Sequence, residues 1–166
     1  MGGACLAHRA YAAAAGDHGG PALIMQHQSF EDVLAAVLAK DRRYAREAYE
    51  FVREALDYTQ RAISKSSHGN LRHISGQELL AGIRAYALEQ YGPMALTLLN
   101  EWGVQRCEDF GEIVFNLVEH GLFSKTESDT RADFEGSYDF IEAFRKPFLP
   151  TRPPAAVPKS PSTTSA

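Results

Sequence analysis

Helix start and stop signals follow one another closely between residues 75 and 122, and they constrain the fold more than any other feature of the sequence. Ser75-x-x-Glu78 has the spacing of a capping box at a helix N-terminus. Gly92-Pro93 combines a helix stop with a residue that favours the first turn of the next helix. Gly103-Val104 and Gly121-Leu122 each join a glycine to an apolar residue, as helix C-termini often do. These signals predict three successive helices joined by tight turns.

The remaining patterns are also mostly helical. Ser29 is placed to cap a helix over residues 30–40, and a long apolar stripe at helical spacing predicts a second helix over residues 42–64. "LFSKT" and "RADFEG", joined by the polar "ESDT", predict a short β-hairpin, and Asp139-x-x-Glu142 predicts a last helical turn. The expected fold is therefore mainly α: a compact helical domain with a C-terminal winged-helix-like unit, made of a helix-turn-helix and a short hairpin.

Composition divides the chain into one domain and two flanking segments. Apolar residues make up 45 % of the sequence, which is enough for a sizeable core, and we expect a single globular helical domain over residues 25–148. Residues 149–166 hold five of the eight prolines, which predicts a disordered tail rich in Pro, Ser and Thr. Residues 1–24 are expected to be either a disordered N-terminal extension or a stretch upstream of a true start at Met25.

Net charge and cysteine content bear on location and on partners. The net charge is −4 and the pI about 5.9, which disfavours a coat for nucleic acid or a polybasic membrane anchor. No run of 18 apolar residues is present, so no membrane span is predicted. The two cysteines, Cys5 and Cys107, fit a reducing compartment better than an oxidising one. We therefore expect a cytoplasmic protein.

The predicted helix near residues 108–120 has an unusual polar face for a DNA-reading element. It contains four carboxylates and no Lys or Arg, so phosphate groups would be repelled and DNA binding through it is disfavoured. Phe115 lies beside Glu112, Asn116 and Glu119 on the helical wheel, which predicts an aromatic anchor for a partner. The alternative is that a neighbouring segment covers Phe115 and makes it part of the core, and the sequence leaves both open.

A cluster of arginines lies in the first half of the second predicted helix. Arg42, Arg43, Arg46 and Arg53 are candidate anion-binding residues, which would suit RNA or DNA. The alternative is a solvated helix face with pairs four residues apart, such as Arg46 and Glu50. No aromatic pattern accompanies this cluster.

No constellation in the sequence predicts catalysis. Asp109-Phe110-Gly111 has the letters of a kinase magnesium triplet, but the other kinase motifs are missing. His68 and His73 lack a third metal ligand. We therefore name no catalytic residue, no metal ligand and no cofactor.

Four blocks carry a resemblance to known proteins: "HISGQELLAGIR", "EQYGPMA", "WGVQRCEDFGEIVFNLVEHGLF" and "DFEGSYDFIEAF". Through them residues 25–148 resemble an uncharacterised family of small bacterial proteins, which implies a bacterial cytoplasmic setting but no functional residues. Residues 93–140 more weakly resemble winged helix-turn-helix domains, although Leu99 is larger than the residue usual at its position.

Three functions follow as expectations from these observations. The first is a non-catalytic regulatory or assembly module that binds another macromolecule, with an unidentified protein or ribonucleoprotein partner favoured. The alternative is a protein associated with RNA or DNA through the basic helix face at residues 42–53. The third is an uncharacterised enzyme.

Overall fold

The chain folds mainly into helices. The computed structural model describes residues 6–8, 29–66 and 73–150, so most of residues 1–24 and all of residues 151–166 lie outside the description. The helices and strands are β1 (Leu6–His8), α1 (Phe30–Lys40), α2 (Arg46–Ser66), α3 (Gly76–Tyr91), α4 (Ala95–Glu101), α5 (Cys107–Glu119), β2 (Phe123–Lys125) and α6 (Phe140–Phe144). Short 3-10 helices cover Gly92–Met94, Arg131–Phe134 and Lys146–Phe148. The mainly helical fold class is confirmed.

The helix ends form where the sequence signals placed them. The Ser75 hydroxyl accepts the Glu78 backbone N–H at 3.2 Å, and the Glu78 carboxylate accepts the Ser75 N–H at 2.9 Å. Helices α4 and α5 both end in a Schellman geometry, with bonds from Val104 N to Leu99 O at 2.8 Å and from Leu122 N to Leu117 O at 2.9 Å. The glycine between, Gly103 or Gly121, adopts a positive φ in each case.

Helix α2 begins four residues later than the apolar stripe predicted. The Asp41 carboxylate accepts the backbone N–H of Arg43 at 3.0 Å and also binds its guanidinium. Ala45 N–H donates to Trp102 O at 3.0 Å, so this backbone is bonded to the α4–α5 turn and not to the first turn of a helix. Residues 41–45 are a turn because of these bonds.

The predicted β-hairpin is wrong in its second strand. Arg131–Phe134 is a 3-10 helix, and the Asp133 carboxylate caps it by accepting the Thr130 backbone N–H at 2.7 Å. Strand β2 pairs antiparallel with β1, with Ala7 opposite Ser124. A winged-helix unit is therefore not confirmed in the part of the chain that the structure describes.

Helices α2, α3 and α5 enclose most of the core. The apolar stripe of α5 is buried as its periodicity predicted. Glycines allow two close contacts: Gly82 of α3 lies against Thr59 of α2, and Gly111 of α5 lies against Phe134. None of the described helices is both long enough and apolar enough to cross a membrane.

Candidate functional site

The polar face of α5, predicted to bind a partner, contacts other parts of its own chain. The Glu112 carboxylate lies between two guanidinium groups, at 3.1 Å from Arg43 Nη2 and 2.9 Å from Arg131 Nε. Arg131 also reaches Glu119, with 3.1 Å between Nη2 and Oε1. Glu112 and Glu119 of α5 therefore pair with cations from the α1–α2 turn and from the 3-10 helix Arg131–Phe134.

Asn116 extends this polar network inward. Its Nδ2 donates to Asp41 Oδ2 at 3.0 Å and to the Tyr49 hydroxyl at 3.1 Å. The hydrogen bonds from Arg43 and, more weakly, from Asn116 hold the pKa of Asp41 well below its usual range. The network joins α1, α2 and α5, so its residues serve the fold.

Phe115 is part of the core. The side chain is only 6 % exposed, the Arg131 guanidinium carbon lies 4.7 Å from the ring centroid, and Lys125 Nζ lies 5.9 Å from it. The 3-10 helix that replaces the expected strand covers the ring, which is the core alternative left open by the sequence. Phe115 therefore has little surface to offer a partner.

The predicted anion-binding arginines are mostly engaged within the chain. Arg43 binds Asp41 and Glu112, and Arg46 binds Glu31 and Glu50, the latter at 2.8 Å between Nε and Oε1. The Arg53 guanidinium carbon lies 4.2 Å from the Phe30 ring centroid. Arg42 is exposed and forms no ion pair with any residue that the structure describes. These four residues do not converge on one anion site.

The Asp109-Phe110-Gly111 triplet has structural contacts. The Asp109 carboxylate accepts the backbone N–H groups of Gln105 and Arg106 at 2.9 and 3.1 Å, and the Tyr44 hydroxyl at 3.0 Å. Its carboxylate therefore caps α5, as an acidic residue in a first turn is expected to do, and also bonds α5 to the α1–α2 turn.

Cys107 lines an open groove of about 390 Å³ between α4, the start of α5 and residues 136–141. Its Sγ donates to the Tyr138 carbonyl oxygen at 3.3 Å, and burial raises the pKa of the thiol. A protonated, hydrogen-bonded thiol is a poor nucleophile. Within the described ranges no three His, Cys, Asp or Glu side chains converge as a set of metal ligands, and His68 lies outside those ranges.

A row of aromatic side chains on the α2–α3 face was not predicted from the sequence. We call it the aromatic strip: the half-buried rings of Tyr58, Tyr86, Tyr91 and Trp102, with buried Phe51 as their floor. The Tyr86, Tyr91 and Trp102 ring centroids lie 5.6, 5.9 and 5.7 Å from that of Phe51. Tyr58 continues the row, 5.2 Å from Tyr86.

At one end of the aromatic strip, carboxylates accept hydrogen bonds from the tyrosine hydroxyls. The Tyr58 hydroxyl donates to Glu89 and the Tyr86 hydroxyl to Glu54, both at 2.9 Å. Burial, followed by the bond to Glu54, raises the pKa of Tyr86 to about 12. The hydrogen bond to Glu89 is the main cause that raises the pKa of Tyr58. Both tyrosines are protonated at neutral pH, and their hydrogen bonds to Glu89 and Glu54 hold their rings in place at this end of the strip.

The other end of the strip has free donors. The Tyr91 hydroxyl and the Trp102 Nε1–H have no hydrogen-bond partner among residues 29–66 and 73–150. Their rings are perpendicular, with 5.7 Å between centroids and 81° between planes. Both donors are open to solvent, because Asp129 Oδ1 is the only buried side-chain polar atom without a partner in the described part of the chain. This end of the strip can therefore donate to water or to a bound molecule.

Part of the strip could have been found from the sequence. Glu47, Phe51, Glu54 and Tyr58 follow one another at the spacing of a single helix face. The contributions of Tyr86, Tyr91 and Trp102 depend on how α3 and the α4–α5 turn pack, which no local pattern gives.

No protein-family model, curated protein or solved structure matches the chain. The resemblance to an uncharacterised bacterial family and the weaker one to winged helix-turn-helix domains therefore remain predictions.

Proposed function

We propose that this protein is a non-catalytic module that binds another protein through the aromatic strip. The observation that carries the proposal is the contiguity of four half-buried Tyr and Trp rings, three of which pack on buried Phe51 while Tyr58 packs on Tyr86. Tyr and Trp are the side chains that most often dominate binding energy at protein interfaces, because they bury a large rigid surface and keep a polar group for a hydrogen bond.

The charge around the strip favours a protein over a nucleic acid. Glu54 and Glu89 are bonded to its tyrosines, and Glu47 precedes Phe51 by one helical turn. Arg61 is a cation close enough to lower the pKa of Tyr86, and Lys65 follows Tyr58 by two turns on the same face of α2. Stacking of bases on aromatic rings is normally combined with a positively charged groove for the phosphates, whereas the groups bonded directly to these rings are carboxylates.

Affinity capture with paired variants tests the proposal. The full chain is immobilised beside Tyr91→Ala, which removes one ring of the strip, and beside Ile141→Ala, which removes an exposed apolar side chain of α6. We expect a protein captured by wild type and by Ile141→Ala, with retention reduced at least about tenfold by Tyr91→Ala, as for a hot-spot residue.

Circular dichroism and thermal unfolding check that the Tyr91→Ala variant is folded. Nuclease treatment of the extract separates a protein partner from one held by RNA or DNA. Equal capture by wild type and by folded Tyr91→Ala would refute the role of the strip. Capture that disappears after nuclease treatment would favour the nucleic-acid alternative.

A further inference from the structure

The groove that Cys107 lines combines apolar and amide side chains. Leu96 of α4 and Ile141 of α6 are its apolar members, and Ile141 is 48 % exposed. Asn100 and Gln105 add two exposed amides, each with donor and acceptor groups. The groove is open over about 390 Å³. A strand of extended polypeptide suits such a lining, because the amides can bond its peptide groups while the apolar side chains cover its own.

Exposed apolar surface increases where the described chain approaches its last residue. The exposed large apolar side chains of the described residues are Met94, Ile141, Phe148 and Leu149. Three of these four lie within residues 141–150, which begin at the groove. Single exposed apolar side chains are normal on a protein surface, but three within ten residues mark a surface that another segment covers.

Residues 151–166 are the segment nearest to this surface along the chain. Ile141 and Pro150 are nine positions apart in helix and 3-10 helix, so they are separated by about 15 Å at most rises of this kind. The following 16 residues span about 50 Å when extended, which is ample to return to the groove. A tethered segment has an effective concentration in the millimolar range, so contacts too weak to hold a separate partner can hold it.

Composition and charge also match this segment to the groove. Residues 153–158 read "PPAAVP", an uncharged stretch between Arg152 and Lys159 in a segment without carboxylate side chains. The two parts of the chain that form the groove, residues 95–109 and 135–150, carry six carboxylates against three cations. The carboxylates belong to Glu101, Glu108, Asp109, Glu135, Asp139 and Glu142, and the cations to Arg106, Arg145 and Lys146. The balance of −3 attracts the two cations of the segment.

From these observations we infer that residues 151–166 dock on their own chain, in the groove between α4, the start of α5 and residues 136–141. The uncharged stretch 153–158 covers Leu96 and Ile141. The composition predicts no core within the segment, and docking on a formed groove needs none, because the stiffness of proline-rich chain lowers the entropic cost of binding. The groove shares no lining residue with the aromatic strip, so this inference does not rest on the proposed function.

Paramagnetic broadening of NMR signals in the full chain tests the inference. A spin label is attached at Ser160→Cys in a chain that carries Cys5→Ser. Cys107 is 2 % exposed, and mass spectrometry checks that it stays unlabelled. We expect the backbone amide signals of residues 136–141 and of Glu108 to lose most of their intensity. The loss should diminish along α5 towards Glu119, which lies about 17 Å further along the helix axis than Glu108.

Matched variants show whether the uncharged stretch is what docks. In the labelled chain Val157→Asp places a carboxylate within this stretch and should restore the signals of residues 136–141. Thr163→Asp adds the same charge outside it and should leave most of the broadening in place. Broadening that is absent or uniform over the domain, or that Val157→Asp leaves unchanged, would overturn the inference.

A mixed sample separates the chain's own segment from that of a second copy. Spin-labelled chain without isotope is mixed with isotope-labelled chain that carries no spin label. We expect no selective broadening of residues 136–141 in this mixture. Broadening as strong as in the singly labelled chain would assign the groove to a second copy and would overturn docking within one chain.

Discussion

Replacing Gly82 with alanine should destabilise the protein, although helix propensity alone predicts the opposite. Gly82 lies inside α3, where alanine is favoured over glycine by about 1 kcal/mol. An added Cβ would overlap the Thr59 hydroxyl and would lie 2.8 Å from Thr59 Cβ and 2.9 Å from its Cγ2. Thr59 is 4 % exposed, stiff at χ1, and bonded through its hydroxyl to the Ala55 carbonyl at 2.7 Å.

The packing cost should exceed the gain in propensity. Overpacking a core typically costs about 1–3 kcal/mol. Here the contact is to a buried, β-branched side chain of α2 whose hydroxyl is already hydrogen-bonded. Subtracting the gain of about 1 kcal/mol leaves a net loss of up to about 2 kcal/mol for Gly82→Ala, which corresponds to a fall in Tm of up to about 4–8 °C for a chain of this size. Urea and thermal unfolding followed by circular dichroism measure both values.

Two further variants show whether packing is the cause. Ala85→Gly, at an exposed position of the same helix, should cost about 1 kcal/mol through propensity alone. Thr59→Ala removes the hydroxyl and methyl that meet the new Cβ, so the double variant Thr59→Ala/Gly82→Ala should be more stable than the sum of the single effects by about 1 kcal/mol. If Gly82→Ala raised the stability as propensity predicts, the close crossing of α2 and α3 would be refuted.

Three other perturbations have definite expected outcomes. Phe115→Ala should lower the free energy of unfolding in urea by about 3–5 kcal/mol, and a change below about 0.5 kcal/mol would contradict its buried position. The pKa of Asp41 is lowered from its ordinary 3.8, so the stabilisation that the carboxylate provides is present above about pH 4 and is lost as the pH falls. Wild type and Asp41→Asn should therefore converge in free energy of unfolding at acid pH. A difference that stays constant with pH would refute this. Because the pKa of Tyr86 is raised from 10.0 to about 12, the stabilisation from its protonated hydroxyl is present below pH 10 and is lost towards pH 12. The free energy of unfolding in urea should therefore fall less steeply with alkaline pH for Tyr86→Phe than for wild type. Identical pH profiles would count against the bond to Glu54.

The sequence predicted those parts of the fold that short-range chemistry decides. Capping boxes and Schellman stops involve residues three to five positions apart, so the bounds of α3, α4 and α5 could be placed closely. The start of α2 was misplaced because the residues before it bond elsewhere: Arg43 N–H donates to Asp41, and Ala45 N–H donates to Trp102 O. Trp102 is distant in sequence, so local patterns do not reveal the second bond. "RADFEG" was taken for a strand although the cap between Thr130 and Asp133 spans only three positions, and this short-range signal was missed. The packing of Phe134 on Gly111 is a long-range contact that no local pattern gives.

The candidate site was harder to predict for a related reason. The charges of α5 and of the arginine cluster were correctly located along the sequence, but each set was expected to face an outside partner. In the structure Arg43 binds Glu112 from 69 positions away, so one residue of each predicted surface is the partner of the other. The aromatic strip went unnoticed because its rings come from α2, α3 and the turn after α4, and only tertiary packing brings them together.

The bond between Ala45 N–H and Trp102 O has a consequence for the kinetics of folding. It joins two positions that are 57 residues apart in the sequence, 45 and 102. At the next position only glycine fits, because a Cβ on Gly103 would overlap the Arg43 carbonyl oxygen. Contacts of such separation carry a loop-closure cost that local helices do not, so they tend to form after the helices. Trp102 sits at this closure and is the only tryptophan. Its fluorescence in a stopped-flow experiment therefore follows the long-range docking step, while far-ultraviolet circular dichroism follows the helices.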